Sequence, residues 1–203
     1  GAAYLAAAGA YRIGAGLVKI YTPKENQVAM QVLLPEALLE VYDSSRPSVK
    51  QLKECMDWAD VIVIGPGIGT ERPAEKILKY VISKSNVPVV MDADGINILA
   101  KNKAYLMDKR APVVLTPHIQ EMARLSGKSK DTIIKNQMEE AKDFVKNYDA
   151  VLVLKSARTI VAKENEHSYI NLSGNSGMAT GGSGDVLAGM IGGLIAQGMD
   201  CFD

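Results

Sequence analysis

Residues Asp60–Thr70 read DVIVIGPGIGT, an apolar, β-branched run that stops abruptly at a glycine turn. A run that is apolar on both faces belongs to a strand covered on both sides, as in a parallel sheet. The same shape recurs at LVKIYT (Leu17–Thr22), PVVMD (Pro88–Asp92), PVVLTP (Pro112–Pro117) and AVLVLK (Ala150–Lys155). Between these runs, Ala74–Lys84 and Thr132–Asn147 place apolar side chains at helical spacing, with Ile77, Leu78, Val81 and Ile82 on one face. Strands alternating with helices predict an α/β domain of three layers, αβα, with helices on both faces of a central, mostly parallel sheet. The late pair TIVAK (Thr159–Lys163) and SYINL (Ser168–Leu172), joined by the polar turn ENEH, predicts a hairpin at the sheet edge. No repeat or linker interrupts residues 1–203, which read as one domain.

Composition excludes several function classes. The 203 residues carry 23 basic and 23 acidic side chains, and this zero net charge argues against a nucleic-acid protein, whose phosphate partner demands a basic face. Aromatic residues make up only 5%, and none are interleaved with basic ones. The uncharged stretch Val186–Met199 is too short for a spanning helix, which needs about 20 apolar residues. Cys55 and Cys201 lie far apart and outside any metal-ligand spacing, so they read as reduced thiols of a cytoplasmic protein. The chain opens at Gly1 on a helical AAYLAAAGAYRIG and closes at Asp203 directly after another helical run. Both ends are therefore expected to be cut from a longer protein.

Nine of the 18 glycines fall after Asn171, most densely in NLSGNSGMATGGSGDVLAGMIGGLIAQG (Asn171–Gly198). Gly181, Gly182 and Ser183 form a loop that delivers successive amides to the start of a helix near Asp185, an arrangement suited to an anion such as phosphate. The string is neither a Walker A loop nor a dinucleotide-binding GxGxxG. Close helix packing accounts for Gly189, Gly192 and Gly193 but not for GGSGD. Asp185 closes the loop either as the helix N-cap or as a base that takes a proton from a substrate hydroxyl in phosphoryl transfer.

GPGIGT (Gly65–Thr70), DADGIN (Asp92–Asn97) and TPHIQE (Thr116–Glu121) all begin where strands end, and ligands of open α/β sheets bind along that edge. His118 reads equally as a helix-start residue or a cleft residue. Lys155 ends the last central strand, where a contact to a nucleotide competes with an ordinary charged turn.

Taken together and in order, GAGLVKIYTP, VIGPGIGT, MDADGIN, LTPHIQE, LVLKSART and GNSGMATGGSGDVLAGMIGGLIAQG resemble the ADP-dependent NAD(P)H-hydrate dehydratases, a branch of the ribokinase-like superfamily. The resemblance implies repair of hydrated NAD(P)H at the expense of ADP, with release of AMP and phosphate. It implies that Ala2, Gly67, His118 and Asp185 contact the hydrated dinucleotide. It implies further that Lys155, Ser156, Ala157, Arg158, Thr159 and Gly184 hold the adenine nucleotide, that Mg²⁺ bridges its phosphates, and that the protein assembles as a homo-oligomer, a tetramer in relatives. Ser156 stands where many relatives have glycine, a departure that matters if the turn needs a positive φ. Two other readings keep the same loop: an ATP-dependent kinase of a vitamin precursor or sugar, and a nucleotide-binding module without catalysis.

Overall fold

The computed structural model describes residues 1–203. α1 (Ala2–Ile13) leads through a left-handed Gly14 to β1 (Lys19–Pro23), α2 (Gln27–Leu33), β2 (Leu38–Tyr42) and α3 (Val49–Trp58). β3 (Ile62–Ile64), α4 (Arg72–Lys84), β4 (Val89–Met91), α5 (Asp94–Lys101), β5 (Val113–Leu115) and α6 (Ile119–Ser126) follow in strict alternation. α7 (Lys130–Lys135), α8 (Gln137–Tyr148), β6 (Val151–Leu154), β7 (Ile160–Ala162), β8 (Tyr169–Ile170) and α9 (Ser183–Ala196) complete the chain.

β3, β4, β5 and β6 lie side by side and parallel, and β7 and β8 extend that sheet antiparallel. The parallel strands are short, and their alternation divides the core in two. Val90, Val114 and Val151 point to the face covered by α9, where they meet Ala188. Val89, Met91, Val113, Leu115 and Leu152 point to the other face, into a larger cluster with Leu78 and Ile82 of α4 and Ile96 of α5. This is the expected three-layer arrangement with its late edge hairpin.

Two expectations are corrected. The Leu17–Thr22 run does not join the central sheet: β1 pairs in parallel with β2, a strand the sequence reading missed, in a separate two-stranded sheet. Paired strands sit about 4.8 Å apart, whereas an apolar cavity of about 650 Å³ lies here, lined by Ile20 of β1, by Val61 and Val63 at β3, and by Leu52 and Met56 of α3. The helix expected over Thr132–Asn147 is interrupted at Asn136, which ends α7 and starts α8 with φ −128° and ψ 36°. Asparagine competes with its own backbone for hydrogen bonds and is a weak helix-interior residue.

α9 is held by its glycines. A Cβ on Gly189 would overlap the backbone of Ala6, one on Gly193 would press on Ile13 and Ala10, and one on Gly192 would meet Val63 Cγ2 at 2.5 Å. Across the same seam, Gly9 of α1 lies against the carbonyl of Val186. The small-residue face of α1 is thus used inside the chain, against α9. Gly189→Ala forces α1 off α9, and overpacking of this kind costs about 1–3 kcal/mol. The melting temperature is expected to fall by roughly 2–12 °C, whereas Gly16→Ala, with open space around it, should leave it unchanged in the same thermal scan.

Candidate active site

The site is assembled at the C-terminal ends of β3–β6 and the first turn of α9. Gly182 takes the N-cap of α9 in a left-handed conformation (φ 84°), with no side chain capping the helix. The amides of Gly181, Gly182, Gly184 and Asp185 consequently have no acceptor within the protein. Ser183 differs: its amide and hydroxyl both donate to the carbonyl of Thr180, at 3.3 and 2.9 Å. Unpaired amides at a helix start carry the positive end of its dipole, so this turn is electrostatically ready for an anion.

Asp185 occupies this first turn but does not cap it, and its carboxylate neither accepts a hydrogen bond nor forms an ion pair. Of the two sequence readings, the N-cap is excluded. Burial pushes its carboxyl above the ordinary aspartate value, and the Asp92 carboxylate pushes the same way; Lys155 acts against them.

Lys155 follows β6 and reaches back to Asp92, which follows β4, with Nζ 2.6 Å from Oδ1. The hydroxyl of Thr116, just after β5, donates to the same oxygen at 2.7 Å. Three neighbouring strands therefore end in one buried polar knot. Gly184 borders it: a Cβ there would stand 3.2 Å from Lys155 Nζ. Ala93, directly after Asp92, is held at φ 49° and ψ −118°, a strained conformation for a residue with a side chain.

His118 caps α6. Its Nδ1 accepts the amides of Gln120 and Glu121 at 3.0 and 3.2 Å, and Glu121 Oε2 accepts the His118 amide at 2.8 Å. With Nδ1 occupied as an acceptor, the neutral ring carries its proton on Nε2, and about half of the side chain is exposed. His118 is thus both a helix-start residue and a member of the cleft rim, bridged to Lys155 through the backbone. Glu121 beneath it is buried, which pushes its carboxyl up; the His118 amide and ring and the Lys155 ammonium oppose that shift.

Ala2 and Gly67 meet at the far end of the cleft. Gly67 has φ 67°, and a Cβ on it would come 3.1 Å from that of Ala2. The GPGIG loop is locked to the DADG loop because Gly65, at φ 119°, lies directly against the backbone of Asp92, while the Gly69 amide donates to Asp94 Oδ2. On the other side, Ser156 to Thr159 form a self-contained turn. The Ser156 hydroxyl bridges the carbonyl and amide of Arg158, and the Thr159 hydroxyl donates to the Ser156 carbonyl. Ser156 does not take a positive φ, so a serine sits in this turn without backbone strain. The carbonyl of Ala157 faces Gly174, 3.6 Å from where its Cβ would be.

The NAD(P)H-hydrate dehydratase profile matches residues 1–203. The chain belongs to that family. It is 40% identical to the bifunctional NAD(P)H-hydrate repair enzyme Nnr of Moorella thermoacetica over 98% of this chain and 39% of the relative. It is 40% identical to the ADP-dependent (S)-NAD(P)H-hydrate dehydratase of Lactococcus lactis over 97% of this chain and 69% of that protein. The ADP/ATP-dependent NAD(P)H-hydrate dehydratase of Bacillus subtilis, solved with ATP/Mg²⁺ and CoA, superimposes with a TM-score of 0.79 at 31% identity, covering 96% of this chain and 69% of that one. The ribokinase-like architecture is likewise shared with solved structures. The chain spans about two fifths of the length of the bifunctional relatives it matches.

The sequence reading named the loops at this strand edge but not Asp92, Thr116 and Glu121 individually, which the structure brings beside Lys155 and His118. Each stood at or just past the end of a strand run, in a loop already read as cleft-lining, and that position was the available signal. Asp185 binds its proton more tightly in the folded chain than in the unfolded one, so its contribution to stability is lost as pH rises through the folded value. Asp185→Asn is expected to raise the melting temperature at neutral pH. The gain should vanish below the ordinary aspartate value of 3.8, as read by thermal unfolding across pH.

Proposed function

We propose that the protein dehydrates hydrated NAD(P)H at the expense of ADP, releasing AMP and phosphate. The observation that carries this reading is the Asp185 carboxylate, unpaired, with raised proton affinity, in a helix turn whose amides have no acceptor in the protein. Neither a cap nor a packing role explains that arrangement, and phosphoryl transfer to a hydroxyl needs both of its parts.

In this reading the dinucleotide lies between the Ala2–Gly67 contact and His118, whose ring is anchored through Nδ1 and has Nε2 3.5 Å from Glu121 Oε1. Lys155 and the turn Ser156, Ala157, Arg158 and Thr159 receive the adenine nucleotide, with Gly184 leaving room for the ammonium. Asp185 takes the proton of the ring hydroxyl as its oxygen attacks the β-phosphoryl group of ADP in line, and AMP departs. The amides of Gly181, Gly182 and Gly184 hold the phosphoryl oxygens. Hydroxide, a poor leaving group, has become a phosphate ester. Cleavage of the ring C–O bond with loss of a neighbouring proton then restores the dihydronicotinamide and frees phosphate.

Mg²⁺ commonly keeps its waters and is bound through substrate phosphates, so it would arrive with the nucleotide. Bound there, it would neutralise charge on the transferring group. The exposed apolar side chains Val28 and Val32 of α2 support the homo-oligomer implied by resemblance, and the free thiols Cys55 and Cys201 fit a cytoplasmic setting.

The test is recovery of reduced-nicotinamide absorbance from chemically prepared NADH hydrate with Mg²⁺ and either ADP or ATP. Recovery with ADP is expected. Phosphate retained on a stable product would instead indicate the kinase. Asp185→Asn should lower kcat by about 10²–10⁴-fold, the range for loss of a general base, with ADP binding nearly unchanged; turnover surviving the substitution contradicts the mechanism.

A further inference from the structure

The Asp92–Lys155 pair is more than a closure of the sheet edge. Asp92 is 3% exposed and Lys155 19%, and the pair joins residues 63 positions apart. Desolvation offsets most of the attraction within a buried ion pair, so stability alone is a weak reason for one at this place. The geometry is one-sided. Thr116 and Lys155 both bind Oδ1, which fixes the carboxylate from the β5 and β6 sides. The ammonium, by contrast, has Asp92 as its single acceptor in the protein. Its two other donors are unclaimed on the side where Gly184 lacks a side chain, and the neighbouring amides of α9 are equally unclaimed. The strained Ala93 and the close approach of Gly65 clamp the backbone on which Asp92 sits.

We propose that Asp92 is a positioning residue acting through Lys155: it holds the ammonium beside Gly184, so that an anion received by the α9 amides meets a fixed positive charge. This rests on the phosphoryl-transfer reading of the same site. Asp92 Oδ1 is taken by Lys155 and Thr116, while its Oδ2 stands 3.6 Å from where a Gly184 Cβ would be; an unanchored lysine side chain at this position would have to be ordered anew each time an anion arrived.

The pair also flanks the Asp185 base. The charged and titratable groups around it are Asp92 at the end of β4, Asp94 in α5, His118 and Glu121 at the start of α6, and Lys155 at the end of β6. Asp92 and Lys155 push the Asp185 carboxyl in opposite directions. Asp92→Asn should therefore move the acid limb of the kcat/KM profile to lower pH, and Lys155→Met should move it to higher pH.

The experiment measures ADP affinity by titration calorimetry, and kcat/KM against pH, for the whole protein and for Asp92→Asn, Lys155→Met and the double variant. Each single substitution is expected to weaken ADP binding by about 10- to 100-fold, the range for a charged hydrogen bond. Asp92→Asn should add no further loss in the Lys155→Met background, because its effect passes through that lysine. Equal losses from Asp92→Asn in both backgrounds would overturn the proposal, as would acid limbs that do not separate or a loss reversed by excess Mg²⁺, which would assign the carboxylate to the metal. Thr116→Val, nearly isosteric, serves if Asp92→Asn does not fold: a several-fold weaker ADP affinity is expected with Lys155 present and none without it. Calorimetry keeps the two readings apart, since absent turnover with non-additive ADP binding refutes the reaction and leaves the positioning role standing.

Discussion

The first turn of α9 carries polar groups that the protein itself leaves without partners. A helix start ordinarily borrows a serine, threonine or aspartate side chain to accept its leading amides, and α6 shows how readily this chain does so, with His118 and Glu121 in a reciprocal cap. At α9 the residue in the capping position is Gly182, and the aspartate three residues on makes no hydrogen bond to the helix amides. Unpaired donors and an unpaired acceptor therefore sit side by side, beside a lysine held in place from behind. An arrangement that is locally unfavourable in several respects, including the strain at Ala93, is what a preorganised site for charge transfer requires.

Everything else in the structure holds that turn still. The glycine seam between α1 and α9 brings the two helix backbones into contact, which fixes the height of the first turn above the sheet. The valines of β4, β5 and β6 present one face to Ala188 and leave the opposite face to the leucines and isoleucines of α4, α5 and α6. Because these strands are parallel, their C-terminal ends lie along one edge, and Asp92, Thr116 and Lys155 arrive there without any long loop. The same topology brings Gly65 against Asp92 and Gly67 against Ala2 of α1.

Much of this is legible in the amino-acid order, for identifiable reasons. DVIVIG, PVVMD, PVVLTP and AVLVLK are unbroken apolar runs, and only a strand covered on both faces has a use for them. β2 escaped because Glu40 interrupts LLEVY and the strand is largely uncovered at its start. The separation of β1 from β3 has no local signal at all, since LVKIYT is patterned like the central strands and differs only in where it packs. In the site, Asp185 stood out because it closes a glycine loop at a helix start, although the sequence left a helix cap as an equal explanation until the structure put Gly182 in that place. Asp92 did not, because an aspartate after a strand is an ordinary turn residue, and its pairing with a lysine 63 residues away is a property of the sheet order.

If a substrate hydroxyl is phosphorylated in this turn before it leaves, the oxygen that departs from the ring must depart on phosphorus. NADH hydrate labelled with oxygen-18 at the ring hydroxyl, turned over once with ADP and Mg²⁺, makes this directly visible by mass spectrometry of the products. The account predicts that the label appears in inorganic phosphate. Label released into water, with unlabelled phosphate formed alongside, would mean that the hydroxyl leaves unphosphorylated and that Asp185 and its glycine loop do some other work.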